Sequence, residues 1–156
     1  MRLVFVALTV VILVGVAIAL LVWQPGRPPE GAQSLGRCQG SALCYSGPVR
    51  KVVDGDTLDI GDRRIRLALV DTPEIGEPGY EEAKQFTEAV CPVGSPALVD
   101  EDDGQTGGSY GRTIAVVVCG DRNLNAELLR TGHATLVTRF CAVSEFADDP
   151  WAAGCG

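Results

Sequence analysis

Residues 3–23 form 21 consecutive positions without a charged side chain, and this run restricts the chain more than any other feature. About 20 apolar residues in a helix cross the hydrocarbon core of a bilayer. A secretory signal peptide would account for part of the run. Arg2 supplies a basic start, and Ala17-Ile18-Ala19 is a small-x-small cleavage motif. The apolar stretch then continues through Leu20, Leu21, Val22 and Trp23, beyond the length such peptides use. Its length favours an uncleaved N-terminal transmembrane helix with Trp23 at the interface. Arg2 and the amino terminus lie on one side and Arg27 on the other, which places the N-terminus inside. The bulk of the chain then faces the extracellular or periplasmic side, and cleavage would make it a secreted protein. Residues 24–36 are rich in proline and glycine and read as a short stiff linker. Residues 37–156 remain for one folded domain, with its core expected between 47 and 141.

The six cysteines agree with export. An even number behind an export segment reads as three disulfides in an oxidising compartment. Cys38–Cys44 is the plausible local pair. Cys91 ends an expected helix and Cys119 an expected strand, which suits a bridge across the core. Cys141–Cys155 would then tie down the tail. A zinc site is disfavoured, because no CxxC is present and His133 is the only histidine. Net charge is −7 over the whole chain. That disfavours tight non-specific nucleic-acid binding by bulk electrostatics. An anionic substrate would have to be held locally, by a few arginines and a cation.

Element signals start near Gly47. Residues 49–53 are a β-branched run, Asp54-Gly55-Asp56 interrupts it, and residues 57–60 resume it. Gly61-Asp62 is a hairpin signal. Ile65, Leu67 and Leu69 alternate with Arg64, Arg66 and Ala68, which predicts a third strand ending at Val70. A helix is predicted over 80–91, with Ala83, Phe86 and Val90 inward. A short strand over 97–99 and a flexible acidic loop over 101–109 follow. Residues 114–119 predict a strand, and 123–131 a helix stopped by Gly132. Residues 135–140 form a last extended segment, and the tail is irregular. This order predicts an α+β or mainly β fold: a five-stranded barrel of the OB type with two to three helices.

The chemistry-bearing residues gather at strand ends. Asp56 lies in the first turn, and Asp71 and Glu74 follow the third strand. Two carboxylates with carbonyls and water suit a hard cation such as Ca²⁺. Arg66 lies five residues before Asp71, and Arg112 opens a later strand. Arginine binds phosphate through paired hydrogen bonds. Carboxylates, a cation and two arginines together make sense around a phosphodiester.

Several segments resemble the staphylococcal nuclease (thermonuclease) family: Val53-Asp54-Gly55-Asp56-Thr57, residues 66–74 with the sequence RLALVDTPE, Tyr110-Gly111-Arg112, and residues 124–134 with the sequence LNAELLRTGHA. The resemblance covers about residues 49–140. It implies the OB barrel and a Ca²⁺-dependent endonuclease that hydrolyses DNA and RNA to 3′-phosphate products. Asp56 and Asp71 match the calcium-binding carboxylates, and Thr72 the residue that gives the metal its main-chain carbonyl. Glu74 matches the general base or orienter of the attacking water. Arg66 and Arg112 match the arginines that hold the phosphate, Tyr110 a tyrosine that contacts it, and Asp54 a carboxylate beside the metal ligands.

The chain also departs from the family pattern. The 75–79 loop is shorter and has no lysine, and Ser109 replaces a lysine before Tyr110. Thr138 and Phe140 stand where two tyrosines are expected. The resemblance therefore implies a weaker grip on substrate. A non-catalytic OB module tethered to the membrane and binding nucleic acid or another ligand is the competing expectation. No protein partner is implied.

Overall fold

The computed structural model describes residues 38–156. The expected membrane segment (3–23) and linker (24–36) lie outside them. Among the described residues, no helix is long and apolar enough to cross a membrane.

Five strands close into a barrel. β1 (Cys44–Val52) pairs antiparallel with β2 (Thr57–Ile60), and β2 with β3 (Arg63–Leu67). After β4 (Val70–Asp71) and helix α1 (Tyr80–Val90), β5 (Pro96–Glu101) pairs with the other edge of β1. β6 (Thr113–Cys119) pairs antiparallel with β5 and parallel with β3, which closes the ring. Closure removes the free edges that an open sheet would expose. The remaining elements are β7 (Arg122–Asn123), α2 (Leu124–Thr131) and β8 (Thr135–Leu136), with β8 pairing to β4.

Alternation drives the closure. Leu58, Ile60, Ile65, Leu67, Val99, Ala115 and Val117 are all at most 2% exposed and fill the barrel. Helix α1 buries Ala83, Thr87 and Val90, with Phe86 half-buried on the rim of the cluster. Asn123 caps α2 by accepting the Ala126 N–H at 3.1 Å. Gly132 closes that helix in the left-handed conformation (φ 76°). Phe86 stacks on His133 with ring centroids 4.7 Å apart, an ordinary packing role for the only histidine.

The disulfides are Cys38–Cys44, Cys91–Cys119 and Cys141–Cys155, the pairs favoured from the sequence. The second joins the end of α1 to the end of β6. The third holds a tail built of short 3₁₀ turns (Glu145–Asp148 and Pro150–Cys155) around the buried Phe146.

Several element boundaries differ from the sequence expectation. β1 begins at Cys44 rather than near 49, because its first half pairs with β5 while showing few apolar side chains. β3 ends at Leu67 rather than Val70, since Leu69 turns the chain in the left-handed region (φ 58°). The acidic 101–109 segment starts as strand and then forms a 3₁₀ turn (Asp103–Gln105), capped by Asp102 accepting the Gly104 N–H at 3.0 Å. Of the last extended segment only Thr135–Leu136 pairs as strand, and Thr138–Phe140 is a 3₁₀ turn.

Candidate functional site

The site is assembled from two turns and one strand end. The first turn, Asp54-Gly55-Asp56, is anchored from above and beside. Thr87 of α1 donates its hydroxyl to the Gly55 carbonyl at 2.6 Å. The Asp54 carboxylate accepts the Asp56 N–H at 3.2 Å and turns the chain. Gly55 is required by close approach, since a Cβ there would sit 2.7 Å from the Thr72 hydroxyl oxygen. Thr72 belongs to the second turn, so the two turns are packed against each other. Its N–H donates to Asp56 Oδ2 at 2.8 Å.

The second turn leaves β3 through Ala68 and Leu69. The Ala68 N–H donates to the Ala115 carbonyl at 2.8 Å. The fully buried Asn125 side chain donates to the Ala68 carbonyl at 2.9 Å and the Ala115 carbonyl at 3.3 Å. It also accepts the Val117 N–H at 3.1 Å. β6 gives one edge to β3 as far as Ala115 and the same edge to β7 from Val118, so Val117 falls between. Asn125 fills that gap and ties α2 to the turn that aims Asp71.

Arg66 joins the two turns. One guanidinium nitrogen lies 2.7 Å from Asp56 Oδ2, and it donates to the Val70 carbonyl at 2.6 Å. Another donates to Asp71 Oδ1 at 2.6 Å. Asp56 is 5% exposed, and burial pushes its carboxyl up to about 6 against the lowering pull of Arg66 and the Thr72 N–H. The arginine therefore does not fully offset the cost of burying that charge.

Arg66, Asp71, Glu74, Tyr110 and Arg112 line one cleft of about 270 Å³. Arg112 is held by donating Nε to the Ser109 carbonyl at 3.1 Å. Glu74 starts a tight turn, its N–H donating to Glu77 Oε2 at 2.8 Å, and its own side chain is exposed to the cleft. Tyr110 stands on the rim, 98% exposed, with φ 52°. Leu69 also lines the cleft, so both non-glycine residues with left-handed backbone among the described residues border this hollow. Such conformations cost free energy and persist where the surroundings impose them.

Asp56 and Thr72 lie behind Arg66 rather than in the cleft wall, and Asp54 lies behind Asp56. Arg139 and Phe140 line the far wall, Arg139 lying 4.9 Å over the Phe140 ring. The sequence reading missed Arg139, whose place follows only from the 3₁₀ turn that breaks the last strand.

The donor set fits a hard divalent cation. Among the described residues no three His, Cys, Asp or Glu side chains gather to enclose a metal. Two carboxylates are available, each bonded to Arg66 through one oxygen. Asp56 Oδ1 accepts the Thr57 hydroxyl at 3.3 Å, and Asp71 is half exposed. Partial oxygen shells that leave positions for water and substrate suit Ca²⁺ or Mg²⁺ chemistry.

Comparison with known proteins agrees with this geometry. The family described as staphylococcal nuclease homologue matches residues 64–149. The chain is 33% identical to the thermonuclease of Staphylococcus intermedius over 138 residues, covering 81% of this chain and 78% of that protein. It is 32% identical over 134 residues to an uncharacterised protein of Methanocaldococcus jannaschii, covering 65% of this chain and 64% of that one. The matched span carries Arg66, Asp71, Glu74 and Arg112, and with the closed barrel it shows that the chain belongs to the staphylococcal nuclease homologue family.

Proposed function

We propose that this protein is a Ca²⁺-dependent nuclease that hydrolyses DNA and RNA to 3′-phosphate products on the extracytoplasmic side of a membrane. The observation that carries the reading is the Arg66 bridge. It fixes Asp56 and Asp71 on either side of one guanidinium while Glu74 and Arg112 open into the same cleft.

The residues divide the work as follows. Asp56, Asp71 and the Thr72 carbonyl would hold the ion, which would supply positive charge to a phosphodiester and ease the approach of water. Arg66 keeps part of its fork directed into the cleft and holds a phosphate oxygen. Arg112 faces it from the start of β6. Both are fixed before substrate arrives, so they stabilise charge growing on the phosphate oxygens with little reorganisation. Glu74 accepts or steers a proton of the attacking water. Tyr110 offers its hydroxyl or its ring at the rim. The net charge of −7 agrees with a substrate held by this local constellation rather than by the general field. Export rests on residues 3–23 and on three disulfides, which persist in oxidising compartments.

The test is calcium-dependent release of acid-soluble fragments from single-stranded DNA by the full chain in mild detergent, beside Glu74→Gln. Activity that needs calcium and falls about 10²–10⁴-fold in the variant is the expected result. A folded, oligonucleotide-binding protein that cuts nothing would instead establish a non-catalytic binding module.

A further inference from the structure

A second hollow opens beside the cleft and shares Tyr110 and Arg112 with it. It is a shallow groove of about 560 Å³, walled by Arg50, Arg63 and Arg64 on the outer surface of β1–β3. We propose that this groove is a binding track for the phosphate backbone of a single nucleic-acid strand, continuous with the cleft across Tyr110. The proposal rests on the nuclease reading above and names how its substrate is held.

The distribution of charge points there. Residues 38–156 carry ten Lys and Arg against 19 Asp and Glu. Six of those ten (Arg50, Arg63, Arg64, Arg66, Arg112 and Arg139) line the two confluent hollows. Set against the four carboxylates of the same walls (Asp59, Asp62, Asp71 and Glu74), these arginines leave the hollows net positive in a molecule of net negative charge, which raises the local concentration of a polyanion. Asp59 and Asp62 share the groove, and Asp59 holds Arg64 through two hydrogen bonds of 2.7 and 3.0 Å. Among the described residues Arg50 and Arg63 enter no ion pair.

Backbone geometry agrees. β1 pairs Val49 with Ile60 and then Lys51 with Asp59, so Arg50 is the extra residue of a β-bulge. Bulges re-aim a side chain out of the regular pleat. Tyr110, held outward at φ 52° between the two hollows, is 98% exposed, with the Arg112 guanidinium 6.0 Å over its ring. Bases stack on such a platform only when unpaired, which selects a single strand. The cleft itself has room for little more than one nucleotide-sized group. A longer strand must leave over the rim, and the Tyr110 exit leads onto the arginines.

The experiment compares parent and Arg50→Gln/Arg63→Gln full chain on 5′-phosphorylated thymidine di- and decanucleotides. Hydrolysis with calcium is measured, and fluorescence anisotropy binding with chelator over a salt series. On the dinucleotide, kcat/KM stays within twofold. On the decanucleotide, KM rises about tenfold, and the slope of log binding constant against log salt falls by about 1.4, or 0.7 for each lost phosphate contact. Equal effects on both lengths, or an unchanged salt slope, overturn the track. A parent that hydrolyses neither substrate sinks the nuclease reading alone. In that case a decanucleotide preference that depends on Arg50 and Arg63 still upholds the track, and equal binding of both lengths overturns it.

Discussion

Asn125 is the buried polar group on which the site turn depends, and its replacement has a calculable cost. In Asn125→Ala the Val117 N–H and the Ala68 carbonyl lose their partners, while the Ala115 carbonyl keeps the Ala68 N–H at 2.8 Å. Each orphaned buried group costs about 1–3 kcal/mol, so the loss is about 4 kcal/mol. That is a large share of the roughly 5–15 kcal/mol a domain of this size holds. Asn125→Asp separates hydrogen bonding from shape. One oxygen can still accept the Val117 N–H, but the other faces the carbonyls that Nδ2 contacts at 2.9 and 3.3 Å. The folded state therefore prefers the protonated acid, which can donate to the Ala68 carbonyl, and the aspartate's folded pKa is raised above its unfolded value. A raised carboxyl pKa gives stability that is full below the unfolded value, about 4, and is lost as pH rises through the folded one. Urea unfolding followed by tryptophan fluorescence at pH 4 and pH 7 measures this. Asn125→Asp should lie near the parent at pH 4 and fall by about 3 kcal/mol or more at pH 7. A gap that does not change with pH, or no gap at pH 7, would refute the assigned network.

Other substitutions follow the same reasoning. Gly55→Ala puts a methyl 2.7–2.8 Å from the Thr72 side chain and should destabilise by about 1–3 kcal/mol, with calcium-dependent activity falling alongside because the two turns separate. Thermal unfolding and activity of the same sample check both. Arg66→Ala leaves the buried Asp56 without its cation and should cost about 3–5 kcal/mol at neutral pH in urea unfolding, besides abolishing turnover. Glu127 accepts from Arg122 and Arg130 at 2.7 and 2.8 Å, and the Arg130 hydrogen bond, then that of Arg122, lowers its carboxyl to about 2. A lowered pKa gives stability above the unfolded value of about 4.5 that is lost as pH falls towards 2. With both arginines well exposed, Glu127→Gln should cost only about 0.5–1 kcal/mol at pH 7 in urea unfolding and nothing near pH 2.

The barrel was legible wherever apolar alternation was clean. Leu58, Ile60, Ile65 and Leu67 mark β2 and β3, and the β-branched run before Cys119 marks β6. Legibility failed where pairing is decided by main chain alone. Residues 44–48, CYSGP, pair in full register with β5 but carry turn-forming residues, so they read as loop. Leu69 in the left-handed region could not be foreseen, since β-strand alternation runs smoothly through it and the turn is held by long-range contacts from Asn125, Ala115 and Val137. The juxtaposition of Arg66 and Asp71 was legible because they lie five apart across that turn, while the roles expected of the site residues came from the family resemblance. Arg139 and Arg50 were not, since one depends on a 3₁₀ turn in the last segment and the other on a bulge.

The central claim is that Asp56, Asp71, Arg66, Glu74 and Arg112 form one hydrolytic site. It is tested most directly by digesting an end-labelled single-stranded oligonucleotide with the full chain, with calcium and with chelator, and analysing the new ends by mass. The account predicts cleavage only with calcium, leaving 3′-phosphate and 5′-hydroxyl termini, and none from Asp71→Asn. Cleavage that persists in chelator, or that Asp71→Asn leaves unchanged, would contradict it.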